Sequence, residues 1–328
     1  MADEPHISRY EEINLENLRT YPMAELSRKV QLSEFAHPFS GDITISQFAR
    51  ALPKILKGAD LTEFAENIAK AYTTKKPVII MHGGHLIKTG LAPLLIDWMD
   101  RGILSAIGTN GSSIIHDTEL ALYGRTSEDV AEGLAEGKFG MVKETADFIN
   151  GVIADHINSK LGFGEALGKK LTEMNAPYAN LSLLCGAYRN SVPMTVHVAI
   201  GTDIIHQHPS ADGAAIGRAS LRDFHIFTRQ VARLCEGAVV MNIGSAVIMP
   251  EVFLKALSVA RNLGYPAHKF STANFDMLPH YRPTQNVLNR PTLTGGKKYS
   301  FTGHHEIQIP LLYAFVNSAL LNCHLDER

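Results

Sequence analysis

The sequence lacks the features that mark membrane proteins and nucleic-acid-binding proteins. No apolar run approaches the roughly 18 residues that a bilayer-spanning helix needs, and the N-terminal stretch MADEPHISRYEEINLENL is polar, without an apolar signal core. The 31 lysines and arginines are balanced by 33 aspartates and glutamates, so the basic surface of a nucleic-acid binder is missing. We therefore expect a protein that binds neither nucleic acid nor membrane.

Cysteine is equally scarce. Cys185, Cys235 and Cys323 are too few and too scattered to form a disulfide framework. Their number favours reduced thiols, and we therefore expect a cytoplasmic protein.

What the sequence does contain is a regular alternation of strands and helices after residue 58. Five short apolar runs end in small or polar residues and predict strands: PVIIMHGG, ILSAIGTNG, MTVHVAI, GAVVMNIG and KFSTANFD. Helical stretches such as LIKTGLAPLLIDWMDRG and SSIIHDTELAL lie between them. This order predicts an α/β fold of the Rossmann-like class, with a doubly wound, mainly parallel sheet covered by helices on both faces.

A short extension precedes the α/β unit. The stretches SRYEEINLENL and ITISQFARALPKILKG space their apolar residues as amphipathic helices do. We therefore predict a helical N-terminal extension over residues 1–57 and a single α/β domain over residues 58–328.

Three strand ends carry turns of small residues that suit ligand binding. They are HGGHLIKTG at 82–90, GTNGSS at 108–113 and IGSA at 243–246, and they match neither G-x-G-x-x-G nor G-x-x-x-x-G-K-[ST]. Small residues let backbone N–H groups approach an anionic ligand, although each turn alone is more typical of a tight strand–helix connection. Because parallel strands share a carboxyl edge, the three turns together predict one dinucleotide-sized cleft.

The order of the segments resembles the deoxyhypusine synthase family. From about residue 58 to residue 320 the chain carries, in succession, HGGHLIKTGLAPLLIDWMDRG, AIGTNGSSIIHD, AIGTDIIHQHP, NIGSAVIMPEVFLKAL, STANFD, RPTQNV and HEIQIPLLYAFVN. The resemblance implies an NAD-binding, Rossmann-like fold and a homotetramer whose active sites lie between subunits. It also implies the transfer of an aminobutyl group from spermidine to a protein lysine, through an imine on an enzyme lysine.

The resemblance assigns ligand-binding positions residue by residue. Asp203 keeps the carboxylate that the family points at its amine substrate, and we predict Asp203 and His208 as catalytic residues. The predicted NAD-contacting residues are Gly84, His85, Leu86, Ile87, Lys88, Thr109, Asn110, Gly111, Ser245, Thr272, Ala273, His304 and His305.

Several departures from the family fall on its reactive residues. The imine-forming lysine is replaced by Pro291, the acidic residue that grips the polyamine by Gln285, and the neighbouring tryptophan by Asn289. The histidine just past the third turn becomes Pro250, and an acidic residue before Asp203 becomes valine. Because proline cannot form an imine, we do not expect full deoxyhypusine synthesis.

Lys297 and Lys298 are the nearest lysines to this segment. A nucleophilic lysine needs burial to lower its pKa, whereas a lysine pair beside two glycines is more typical of a solvated loop. We therefore do not expect either lysine to replace the missing amine.

Histidines offer an alternative interpretation of the same cleft. Imidazole and carboxylate groups are ligands for Zn, Mn, Fe or Ni, and the candidate ligands here are His85, His116, His206, His208 and His304. By the resemblance, the family has a carboxylate where this chain has His116, or one residue away at Asp117.

Three functions remain open from the sequence. We favour an NAD-linked enzyme that acts on a polyamine or another small amine, because most turns of the cleft persist. The alternatives are a metal-dependent hydrolase that uses His and Asp in the former cofactor cleft, and a non-catalytic oligomeric binding protein.

Overall fold

The computed structural model describes residues 8–326 and contains a sheet of six strands, all parallel. The strands are β1 (Val78–His82), β2 (Ala106–Asn110), β3 (Met194–His197), β4 (Val239–Ile243), β5 (Ser271–Asp276) and β6 (Lys298–Thr302). Their order in the sheet is β3-β2-β1-β4-β5-β6, so the chain winds outward from β1 in one direction and from β4 in the other. The predicted doubly wound, Rossmann-like α/β class is confirmed.

Helices cover both faces of the sheet. They are α1 (Ile45–Ala51), α2 (Leu56–Thr73), α3 (Gly84–Lys88), α4 (Ala92–Asp100), α5 (Gly111–Tyr123), α6 (Val130–Ala135), α7 (Lys143–Asp155), α8 (Phe163–Glu173), α9 (Leu183–Arg189), α10 (Gly213–Val231), α11 (Ile248–Asn262), α12 (Tyr281–Pro283), α13 (Arg290–Thr292) and α14 (His305–Asp326). A π-helical turn, Thr284–Asn289, joins α12 to α13. Among residues 8–326, no helix is both long and apolar enough to cross a membrane.

Alternate strand residues build two apolar layers. Val78 and Ile80 point into the larger layer, which α2, α4, α5, α8, α9 and α14 cover, whereas Ile79 and Met81 point into the smaller layer with α10 and α11. Strands β1 to β5 are buried almost throughout, as expected of central parallel strands.

Strand β6 was not predicted from the sequence. It lies at the edge of the sheet and alternates in burial: Tyr299 and Phe301 point inward, while Lys298 and Thr302 are exposed. The inward rings pack against Phe64 of α2, at centroid distances of 5.2 Å and 6.2 Å. The short period-2 pattern in KYSFT was therefore a strand signal that the preceding lysines and glycines obscured.

The predicted helix over SRYEEINLENL is wrong. Residues 8–44 contain two single 3-10 turns, Met23–Glu25 and Leu32–Glu34, and otherwise follow an irregular path. Tyr10 and Ile13 are both 84% exposed, so the apolar spacing has no surface to pack against, and a helix this short is marginal without such packing. The second predicted helix forms in part as α1, which packs against α14.

Candidate functional site at the carboxyl edge of the sheet

The turns that follow β1 and β4 touch each other where the strand order reverses. The Gly83 N–H donates to the Ile243 carbonyl at 3.0 Å. A Cβ built on Gly83 would lie 2.5 Å from the Gly244 carbonyl oxygen, and Gly244 itself has a φ of +63°. Glycine at both positions therefore lets two bare backbone turns meet, and this reversal point is where Rossmann-like sheets receive dinucleotides.

The turn after β2 joins the same edge through α5. A Cβ on Gly84 would lie 2.8 Å from Ser112 Oγ and 3.2 Å from His116 Cδ2. Asn110 caps α5, because its Oδ1 accepts from the Ser113 N–H at 3.3 Å and from the Ser112 hydroxyl at 3.0 Å. The three turns predicted from the sequence are thus contiguous in space.

Asp203 lies against the first residue of α5. A Cβ on Gly111 would lie 1.9 Å from Asp203 Oδ2, and the Asp203 residue is 8% exposed. Burial raises the pKa of the Asp203 carboxyl group to about 6. The His206 imidazole does not bond to this carboxylate, since its Nδ1 accepts from the backbone N–H groups of Gly201 and Asp203, at 3.1 Å and 3.3 Å.

His305 covers the Gly244 turn from the other side. A Cβ on Gly244 would lie 2.7 Å from His305 Cε1. His305 Nε2 lies 3.1 Å from the Phe275 carbonyl oxygen, so Nε2 carries the proton and Nδ1 keeps a lone pair. The His85 ring lies next to that of His305, with 5.4 Å between the two ring centroids. Burial lowers the pKa of His305.

This edge concentrates buried hydrogen-bond acceptors that have no donor among the described residues. They are His82 Nε2, Asp203 Oδ2, Asn242 Oδ1, Asp276 Oδ2 and His305 Nδ1. His82 Nε2 belongs to the set because His82 Nδ1 donates to the Gly83 carbonyl at 3.1 Å, and burial lowers the pKa of His82 to about 4. Buried polar atoms normally find a partner, so these acceptors suit a ligand or ordered waters that supply hydrogen-bond donors.

A cavity of about 350 Å³ opens beside this edge, between the end of β3 and the start of α11. His197 and Glu251 line it. His197 is buried against Phe227, and burial lowers its pKa to about 3. A larger cavity of about 510 Å³ lies elsewhere, between α1, α2 and α14.

Glu251 is the first acidic residue after the IGSA turn, and cations already neutralise it. Its carboxylate pairs with Lys255 and with Arg282 Nε, the latter at 3.2 Å, and accepts from Asn286 Nδ2 at 3.0 Å. The Lys255 ammonium group in particular lowers the pKa of Glu251. An amine ligand would have to displace these partners before it could bind Glu251.

The segment that departs from the deoxyhypusine synthase pattern contains no free amine. Pro291 is buried in α13, and its carbonyl accepts from Arg261 Nη2 at 3.3 Å. Lys298 Nζ donates to Asn289 Oδ1 at 2.8 Å, and Lys297 pairs with Glu63 of α2. Both lysines are exposed, so neither has the desolvated surroundings that activate a lysine nucleophile.

Some predicted cofactor residues lie away from the carboxyl edge. Thr272 and Ala273 are buried near the beginning of β5, where they pair with Lys298 and Tyr299. Because β5 continues to Asp276, Thr272 lies about 13 Å from the carboxyl edge at ~3.3 Å per residue, so cofactor contact by these two residues stays a prediction. Leu86 and Ile87 point into the apolar core, which leaves only their backbone for ligand contacts.

The candidate metal ligands do not come together. The side chains that the structure describes, those of residues 8–323, include no group of three His, Cys, Asp or Glu that could hold a metal ion. His208 Nε2 lies 2.8 Å from the Gly140 carbonyl oxygen, and His116 Nδ1 lies 2.7 Å from Thr126 Oγ1. His304 is exposed, with Nδ1 3.8 Å from Glu306. These three histidines therefore contact different partners and do not converge on one point.

Sequence reasoning missed His82, Asn242 and Asp276 as site residues. His82 and Asp276 are the last residues of β1 and β5, and Asn242 is the penultimate residue of β4. Their position offered a signal, because polar side chains at the ends of buried parallel strands face the ligand-binding edge.

Comparisons with solved structures identify the same fold. A protein of Entamoeba histolytica described as a deoxyhypusine synthase superposes with a TM-score of 0.50 at 11% identity, over 86% of this chain and 96% of that chain. AgrE in a ternary complex with ornithine and NAD+ gives a TM-score of 0.50 at 13% identity, over 80% of this chain and 33% of AgrE. A protein of Methanococcus maripaludis S2 described as LOR/SDH gives 0.46 at 16% identity, over 83% and 71%.

The chain thus spans about a third of the length of AgrE. No protein-family model and no curated protein matches the sequence. At these identities the likeness establishes the fold alone. The chain has the Rossmann-like, all-parallel α/β fold that is shared by a deoxyhypusine synthase-like protein and by an NAD+-binding one.

Proposed function

We propose that this protein binds NAD at the carboxyl edge of the sheet and uses it on a polyamine or another small amine. The observation that carries the proposal is the meeting of bare glycine turns with a set of buried acceptors that lack donors. Ribose hydroxyls, a carboxamide and an ammonium group are all donors, so NAD and an amine complement this edge. The complex of AgrE with ornithine and NAD+ is consistent with this ligand class.

The chain has no phosphate-binding sequence motif, yet its residues at this edge fit a dinucleotide. Gly83, Gly84 and Gly244 carry no side chains at the reversal point, so that only backbone separates the two turns. Lys88 is an exposed cation near His116, which borders the Gly84 turn. His305 Nδ1 and Asp276 Oδ2 are acceptors for hydroxyl groups. These atoms are covered in the free chain, so binding requires a small opening of the turns. When bound, NAD accepts a hydride.

Asp203 is the residue that we assign to the amine. Its carboxyl group has lost hydration through burial and has an unpartnered oxygen. An ammonium group would supply both the missing donor and the opposite charge, and would thereby return the pKa of Asp203 towards its ordinary value. His208 lies in the segment after Asp203, but its Nε2 is engaged by Gly140, so we assign it no part in binding.

Pro291 sets the limit of the proposed chemistry. Because the chain has no buried amine at this position, we propose an oxidation of the amine and no transfer through an enzyme-bound imine. We further propose that the protein is cytoplasmic and forms a homotetramer with sites near subunit contacts. The apolar side chains that are exposed around the edge suit such contacts; they are Ile200, Leu221, Leu278 and Ile307.

Binding of NAD to a Gly83→Ala variant tests the proposal. Gly83 has a φ of −98°, so alanine adopts its backbone conformation, and the only cost is the clash of Cβ with the Gly244 carbonyl oxygen. Gly151→Ala is the matched control, because a Cβ there meets nothing within 4 Å. We expect calorimetry to show NAD binding to wild type and to Gly151→Ala, and binding at least about tenfold weaker, 1.4 kcal/mol, to Gly83→Ala. Wild-type protein that binds no NAD would refute the proposal.

A non-catalytic NAD-binding protein is the second candidate. It is favoured by the loss of reactive side chains at Pro291, Gln285 and Asn289 and by the neutralised carboxylate of Glu251. The two candidates differ in one result: NADH forms from NAD and spermidine in the first and does not form in the second.

A further inference from the structure

His116 faces the Gly84 turn with a defined edge of its ring. Its Cδ2, the atom bonded to Nε2, would lie 3.2 Å from a Cβ on Gly84. The opposite edge is anchored, because Nδ1 lies 2.7 Å from Thr126 Oγ1. The ring therefore has one fixed nitrogen and one nitrogen on the side of the candidate site.

The hydrogen bonds around Thr126 determine which nitrogen carries the proton. The Thr126 hydroxyl donates to Glu119 Oε2 at 2.5 Å, and the Thr145 hydroxyl donates to Glu119 Oε1 at 3.1 Å. A hydroxyl group has one proton, so Thr126 Oγ1 can only accept from His116. Nδ1 must then be protonated, and Nε2 presents its lone pair.

Electrostatics keep this imidazole neutral. Burial, together with the smaller effect of the nearby Lys88 ammonium group, lowers the pKa of His116 to about 4. Neutral imidazole is the form that can take up a proton.

Neighbouring side chains cannot take this role, because they serve the fold. Asn110 Oδ1 is occupied by the cap of α5. Asp117 is completely buried and caps α9, where it accepts from the Ser182 hydroxyl at 2.6 Å and from the Leu183 N–H at 2.7 Å. The structure thus separates His116 from Asp117, the two residues that the sequence left as alternatives for one position.

The far end of this chain of hydrogen bonds reaches the surface. Glu119, Thr126 and Thr145 line a cavity of about 450 Å³ on the side of α5 that bears Glu119. His116, Thr126 and Glu119 therefore form a continuous hydrogen-bonded line from the candidate site to a second opening.

We propose that His116 is the base that takes a proton from the amine, and that Thr126 and Glu119 position it and conduct that proton to the cavity. The proposal rests on the function proposed above, with NAD as the hydride acceptor. An ammonium substrate loses one N–H proton to His116 Nε2, and the resulting amine gives a hydride from its α-carbon to NAD, which leaves an iminium ion and NADH. Nδ1–H then passes its proton to Thr126 Oγ1 as the Thr126 hydroxyl proton moves to Glu119 Oε2.

The tautomer of His116 tests the positioning part without any ligand. In protein labelled with ¹⁵N-histidine, long-range ¹H–¹⁵N correlation distinguishes a protonated from an unprotonated ring nitrogen, and His116→Gln assigns the signal. We expect Nδ1–H in wild type and in Thr126→Ser, which keeps the hydroxyl, and a mixture of tautomers in Thr126→Val. An Nε2–H tautomer in wild type, or an unchanged tautomer in Thr126→Val, would overturn the proposal.

Turnover tests the role as a base. With spermidine as the probe amine and NADH absorbance as the readout, we expect kcat to fall about 100-fold in His116→Gln, within the range of general-base catalysis. In Thr126→Val it should fall about tenfold, the loss expected when one hydrogen bond to a charged imidazolium is removed, and Thr126→Ser should restore it. The Kd for NAD should stay within about twofold of wild type in all three variants.

The two proposals fail in different ways. A wild-type protein that binds no NAD refutes the proposed function, whereas the tautomer of His116 still decides whether the line of hydrogen bonds exists. Wild-type turnover that is unaffected in His116→Gln overturns the proton relay and leaves the NAD function standing.

Discussion

The Asp203 carboxylate lies directly over Gly111, so close that a single methyl group at Gly111 would stand 1.9 Å from Asp203 Oδ2. Gly111 begins α5, and a carboxylate near the first turn of a helix interacts favourably with the helix dipole. The absence of a side chain at residue 111 is therefore what admits a buried acid to the carboxyl edge.

Gly111→Ala should destabilise the protein by about 1–3 kcal/mol, because the new methyl group forces Asp203 out of a well-packed position. Urea unfolding at pH 7 measures the change. Gly151→Ala is the control, since its Cβ has open space within α7 and alanine should stabilise a helix interior by about 0.5–1 kcal/mol. Equal stabilisation of both variants would show that Asp203 does not occupy the space over Gly111.

Asp203→Asn should change the pH dependence of stability. Burial raises the pKa of Asp203 from 3.8 to about 6 in the folded protein, so the folded state favours the protonated acid. Wild type therefore loses stability as pH rises from about 4 to about 6, by up to about 3 kcal/mol for a shift of two units. Asparagine cannot ionise and does not incur this loss.

Urea unfolding of wild type and Asp203→Asn at intervals from pH 4 to pH 8 checks this. The free energy of unfolding of the variant should rise relative to that of wild type between pH 4 and pH 6. Above about pH 7 the difference between the two free energies should be constant. Other buried acids such as Asp117 and Asp223 are present in both proteins and cancel in the comparison. A difference that does not vary with pH would mean that Asp203 is not desolvated.

Neither Lys297 nor Lys298 should form an imine with the substrate. Both are exposed and are held by polar partners, Glu63 and Asn289, so neither amine has the desolvated surroundings that activate a lysine nucleophile. Borohydride reduction during incubation with NAD and spermidine, followed by peptide mass spectrometry, should find no aminobutyl adduct on either residue. An adduct that is lost in Lys298→Arg would identify a replacement for the missing lysine.

Removal of residues 1–43 should leave the α/β domain folded and reduce the size of the assembly. Residues 8–44 bury almost nothing, and large apolar side chains such as Tyr10 and Leu32 are more than 80% exposed. We expect the Tm to change by less than about 4 °C, the effect of roughly 1 kcal/mol in a domain of this size. Light scattering should give a lower mass, because a segment that leaves several large apolar side chains exposed is typical of subunit contacts. An unchanged mass would assign this segment another role.

The sequence was sufficient for five of the six strands and insufficient for the buried hydrogen-bond acceptors at the carboxyl edge. Five strands were predicted because central parallel strands are uniformly apolar, whereas β6 alternates and begins with Lys298. The SRYEEINLENL stretch has helical spacing but no partner surface, and spacing alone does not form a helix. Contacts such as Asp203 with Gly111, and Thr126 with both His116 and Glu119, depend on how loops return to the sheet, which no local pattern encodes.

The contact between Gly83 and Gly244 bears on how far the sequence around the site can change without loss of the fold. A ligand that straddles two bare turns meets peptide groups, and every amino acid supplies the same peptide group. Most positions around such an edge can then change identity while the three-dimensional shape survives. The chain shares its fold with proteins at 11% and 13% identity, as an edge built largely from peptide groups permits.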